Sequence, residues 1–116
     1  MKLPGTFIEL VDEAVSKSLY KELIKQLNKD FALANVEFDA SSEILPTSLK
    51  VILHDTVFNL IQNKFGDYLN LLYVVDVSEE RIKALDGSDT LKLSEQVSFL
   101  ILQREWQKIW YKAVYS

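Results

Sequence analysis

At 116 residues, with 48% apolar and 26% charged residues, the chain has the composition of one globular domain and not of a disordered segment. Its 13 basic and 17 acidic side chains leave a net charge of −4, and no basic run is long enough to track a phosphate backbone, so no nucleic-acid partner is expected. Cysteine is absent, which excludes disulfides, thiolate metal sites and cysteine nucleophiles.

The first residues, Met1-Lys2-Leu3-Pro4-Gly5, lack the apolar core of a secretory signal. The longest apolar runs, residues 71–75 and 99–102, fall far short of the roughly 18 residues a membrane span needs. A cytoplasmic protein with no membrane role is therefore expected. A mean hydropathy of +0.02 is high for so small a domain and predicts apolar surface left over for self-association. Only three glycines and two prolines punctuate the chain, which predicts few, long elements.

The first of these runs from about Thr6 to Phe31. Thr6-Phe7-Ile8-Glu9 has capping-box form, and Ile8, Val11, Val15, Leu19, Leu23 and Leu27 follow at helical steps. Asn35 to Pro46 reads as a long connection, with Val36, Phe38 and Ala40 alternating against Glu37 and Asp39. Next, Val51, His54, Phe58, Ile61, Phe65, Tyr68, Leu72 and Val75 recur in steps of three and four straight through Gly66. That unbroken stripe predicts one long helix over 47–75, with Gly66 bending it or admitting a neighbour. Leu49, Ile52, Leu53, Val57 and Leu60 form a second apolar face, which makes this the expected central helix. The competing reading is α+β, pairing strands at 35–39 and 71–77 because Tyr73, Val74, Val75 and Val77 favour strands.

Ser78-Glu79-Glu80 reads as a helix start with Ser78 as N-cap, and Arg81 to Leu85 as a short helix closed by Asp86-Gly87. The last helix is expected to open near Leu93-Ser94-Glu95 and run towards Tyr115. Its main stripe is Phe99, Leu102, Trp106, Ile109 and Ala113, with Val97, Leu100 and Ile101 as a second face. The expected fold is all-α: a single domain over 1–116, an irregular bundle of three long helices and one short.

No catalytic set emerges. His54 is the only histidine, so no histidine cluster can form in one chain, and position 51, where a di-iron bundle places Glu, is Val. Asp55 points about 100° away from His54 on a helix and cannot orient it. His54 is expected in the core stripe, desolvated and bonded across a helix interface. Arg104, on the face of Leu100 and Ile101, is either a carboxylate or phosphate anchor or an Arg laid over apolar surface and paired with an acid.

Trp106 and Trp110 share one face and Tyr111 and Tyr115 another. Trp106 is assigned to the core, whereas Trp110, Tyr111 and Tyr115 are candidates for an association surface. Glu9, Asp12 and Glu13 crowd a first helical turn, where the helix dipole alone accounts for acids. Asp86-Gly87-Ser88-Asp89 lacks the ligand spacing of a calcium loop. No phosphate-binding glycine motif or nucleophile elbow is present, so neither a metal nor a cofactor is expected.

The sequence therefore predicts a protein-interaction or self-associating helical domain, binding another protein or pairing as a homodimer. A small enzyme or ligand-binding bundle with a pocket near His54 and Arg104 is the alternative. A flat apolar patch favours the first class, and a deep pocket with convergent polar groups the second.

Overall fold

A computed structural model describes residues 2–115. Six helices make up the fold: α1 Phe7–Ser16, α2 Tyr20–Leu33, α3 Pro46–Asn63, α4 Phe65–Val75, α5 Glu79–Lys83 and α6 Thr90–Tyr115. The all-α class stands, and no strand occurs among the described residues. Residues 71–75 lie within α4 and residues 35–39 within a connection, so the two-stranded alternative does not form.

Six helices replace the expected four because two periodic stretches each contain a break. The first lies at Ser18, in the left-handed region with φ 58°. The Ser18 N–H bonds Val15 O at 3.0 Å and the Leu19 N–H bonds Ala14 O at 2.8 Å, the paired bonds of a Schellman end. The same closure ends α2 at Asn35 (φ 60°), where Val36 N–H reaches Phe31 O. A variant follows α4 at Asp76 (φ 69°), where the N–H groups of Asp76 and Val77 both reach Leu72 O. Each time a small polar residue takes the left-handed position usual for glycine, and an apolar residue follows it.

The break between α3 and α4 is of another kind. Lys64 turns to φ −143°, ψ 59°, yet its N–H still bonds Leu60 O and its carbonyl accepts from Tyr68 N–H. The helical count therefore carries across the break. The bend is not at Gly66, where an added Cβ would meet nothing within 4 Å.

The burial pattern reverses the expected ranking of faces on α3. Leu49, Leu53, Val57 and Leu60 form the core face, and Tyr68, Leu71 and Val75 extend it on α4. Of the stripe expected inside, Val51 is 58% and Phe65 54% exposed. The central helix is α6. It packs on α1, α2, α3 and α4, and its middle is buried on almost every side, from Val97 through Ile101, Leu102 and Trp106 to Ile109. It also begins earlier than expected. Asp89 Oδ1 accepts from Lys92 N–H at 3.2 Å, while Ser94 is fully buried and turns its hydroxyl back onto Thr90 O.

The remaining caps follow the sequence. Thr6 Oγ1 accepts from Glu9 N–H, while Glu9 Oε2 accepts from Gly5 N–H. Ser78 Oγ accepts from Arg81 N–H at the start of α5. Long polar side chains pin the connections: Asn28 makes two bonds to the backbone of Ala40, and Tyr20 donates to Ile44 O. The buried Gln103 donates to Pro4 O at 2.8 Å and accepts from Arg81 Nη1 at 2.6 Å, tying the N-terminal segment and α5 to the central helix.

Candidate functional site

Between α3 and the first half of α6 lies a half-open groove of about 590 Å³, within the range of small-ligand sites. Its walls are mainly apolar: Phe7 from α1, Val51 and Leu53 from α3, Leu85 beyond α5, and Phe99 and Leu100 from α6. The lining positions on α3 are 50, 51, 53 and 54, so the start of the expected stripe, Val51 and His54, borders a cavity, while its Tyr68 and Val75 join the core.

His54 lies in this groove, half-buried and not in the core as expected. Its Nε2 is 3.3 Å from Leu91 O. A carbonyl only accepts, so Nε2 carries a proton in that bond and Nδ1 is left as the open nitrogen of the neutral ring. The ring also packs on Phe58. Lys50 places its ammonium 5.7 Å above the Phe7 ring on one side. On the α6 side, Glu95 is exposed, and the half-buried Gln96 carries a buried Oε1 with no hydrogen-bond partner.

Arg104 does not join this groove. Its Nε and Nη2 bond the main chain and carboxylate of Asp76 at 3.0 and 3.1 Å, and its Nη1 donates to Gln107. Arg104 therefore clamps the left-handed end of α4 to α6, which is the acid-paired arrangement of its two expected readings.

A second polar cluster was not anticipated. Asp30 on α2 and Glu105 on α6, 4% and 0% exposed, meet under Lys108. Lys108 Nζ lies 2.8 Å from Asp30 Oδ2 and 3.3 Å from Glu105 Oε1, and Gln26 donates to Asp30 Oδ1 at 3.1 Å. Burial, the hydrogen bond to Asp30 and the Asp30 charge push the Glu105 carboxyl up to about 9, so at neutral pH it is protonated and donates to Asp30. Burial pushes Asp30 up as well, but hydrogen bonds from Glu105, Lys108 and Gln26 and the Lys108 charge outweigh it and hold Asp30 below the usual carboxylate value. This is a buried carboxyl–carboxylate pair under an ammonium.

The terminal aromatics separate by depth. Trp106 is fully buried, with an indole N–H that has no partner, and Trp110 is partly buried against the core. Tyr111 and Tyr115 are 52% and 72% exposed, with ring centroids 5.2 Å apart, and Trp110 meets Tyr111 edge-on at 5.9 Å. Among the described residues no cluster of three or more metal-ligating side chains occurs, and no helix is long and apolar enough to cross a membrane.

The sequence reading found His54 but missed its neighbours Lys50, Glu95 and Gln96, because two helices whose starts lie more than 40 residues apart bring them together and no sequence pattern joins them. It missed Asp30 and Glu105 because they lie 75 residues apart, although an acid between Arg104 and Trp106 on a helix apolar all round was a usable sign. No family model, curated protein or solved structure matches this chain.

Proposed function

We propose that this chain is an association domain that pairs with a second copy of itself through the last turns of α6. The observation that carries the reading is the exposure of Tyr111, Val114 and Tyr115 (52%, 50% and 72%) beyond Ile109, the last buried residue of the helix. Large rigid aromatics at a helix end, outside the fold's own core, are the residues that dominate association surfaces.

The chain carries its own complement. The outer face of α1 holds Ile8 and Val15, 69% and 56% exposed, beside the exposed acids Glu9 and Asp12. An aliphatic helix face suits an aromatic one, and a two-fold pairing would use each surface twice.

Sedimentation equilibrium tests this. A dimer at micromolar concentration is expected, weakened at least tenfold by Tyr111→Ala. Tyr111 is a cleaner probe than the partly buried Trp110, whose removal would also disturb the core. A monomer up to about 100 μM, a range in which stable dimers assemble, would sink the reading.

A further inference from the structure

We propose that the groove between α3 and α6 is a binding site for a small apolar amine, a molecule with a ring or short-chain body and an ammonium head. The walls set the body. Phe7, Leu85, Phe99 and Leu100 enclose a cavity of about 590 Å³, open on one side, which suits a ligand of modest size entering sideways.

The polar groups set the head. Lys50, the one cation of the lining, is already seated over the face of Phe7. Two unengaged lining groups can accept, Glu95 and His54. Glu95 makes no ion pair or hydrogen bond among the described residues. His54 is bonded through Nε2 to Leu91 O, which leaves Nδ1 as an acceptor in the neutral ring.

An ammonium meets both requirements. It brings charge to Glu95, an N–H donor to His54 Nδ1, and attraction to the aromatic walls. An anionic head would be repelled by Glu95 and could not donate to His54 Nδ1. The net charge of −4 points the same way.

His54 is the only histidine, so its ring protons report occupancy of the groove directly by NMR. The probes are 4-phenylbutylamine, 4-phenylbutanol and 4-phenylbutyrate, which share a body and differ in the head. The amine is expected to shift the His54 signals and to bind at least fivefold more tightly than the butyrate, with the alcohol between them. Glu95→Gln should erase the preference for amine over alcohol, and Lys50→Gln should tighten the amine two- to fivefold. Val51→Trp fills the mouth from an exposed position, so the fold tolerates it, and it should abolish the shifts.

Tighter binding of the butyrate would overturn the proposal. So would unmoved His54 signals with all three probes, or an amine response that survives Val51→Trp. None of these readouts depends on whether the chain dimerises.

Discussion

Two regions of this molecule bring ionisable side chains against apolar walls, and they treat them in opposite ways. In the Asp30–Glu105–Lys108 cluster the groups are sealed between α2 and α6, and each answers another: the ammonium lies between two carboxyls, and a proton is shared from Glu105 to Asp30. In the groove, Lys50, His54 and Glu95 stand around an open cavity, and none pairs with another. Both regions draw on α6, less than three turns apart along the helix. A sealed, mutually bonded set has its bonding capacity consumed by the fold, so its effect is on stability and specificity of packing. An open, unengaged set contributes little to the fold and retains its capacity for a ligand. The positions of Glu95 and Glu105 on one helix show that burial, and not residue type, divides the two roles.

The sharpest test of that contrast removes a member of the sealed set. Asp30→Ala leaves Lys108 without its closest acceptor and Glu105 without the carboxylate it donates to, and is expected to destabilise the fold by about 3–5 kcal/mol in urea denaturation. Glu105→Gln keeps the shape and a donor towards Asp30, and is expected to stay within about 1 kcal/mol of the native protein. If the two substitutions cost the same, Glu105 is not held as the neutral acid.

The pH dependence follows from the same cluster. The folded-state value of Glu105, about 9, lies above its ordinary value of 4.5, so the native state holds a proton that the unfolded chain releases. Its contribution is complete below about 4.5 and declines as pH rises towards 9, at no more than about 1.4 kcal/mol per pH unit. Asp30 works with the opposite sign: its lowered value adds stability above its ordinary range and loses it as pH falls through the folded value. Stability is therefore expected to be greatest near pH 5 and to fall towards pH 9, with Glu105→Gln flattening the alkaline decline. A native profile flat from pH 5 to 9 would contradict the protonated state.

The helical class, the caps at Thr6 and Ser78 and the burial of Trp106 were legible in the sequence because each rests on local pattern. The breaks were not, for two distinct reasons. Ser18 ends a helix in the left-handed region where a reader looks for glycine; the usable signal was a small polar residue followed by an apolar one, Ser18-Leu19, the same pairing that closes helices at Asn35-Val36 and Asp76-Val77, where ends were expected. At Lys64 the bonds to Leu60 and Tyr68 keep the helical count, so periodicity carries no trace of the bend. The reversed faces of α3 have a similar origin. Two apolar stripes compete, and the regular one borders a cavity at Val51 and His54, while the Leu49–Leu60 face is buried in the core. Sequence pattern reports that a face is apolar, not what covers it. The site was half legible: His54 was singled out, but its joining with Arg104 was not realised because Asp76 holds Arg104 elsewhere.

The smallest expected effect comes from the open region, and it separates the two fates of a histidine on an apolar stripe. Had His54 been a core residue, truncation to Ala would leave a sealed void and cost about 2 kcal/mol or more. It lines a cavity already open to water, so removal of the ring enlarges space that solvent fills, and the lost bond frees the carbonyl of Leu91, itself 58% exposed, to bond water instead. His54→Leu exchanges that bond for apolar contact with Phe58 and the groove walls. Both substitutions are therefore expected to leave stability within about 0.5–1 kcal/mol of the native protein, as replacements at half-exposed positions do. Urea denaturation of the two variants beside Asp30→Ala checks this on one scale. A His54→Ala cost approaching that of Asp30→Ala would mean that the groove is closed in solution, and the contrast between a sealed and an open region would fail there.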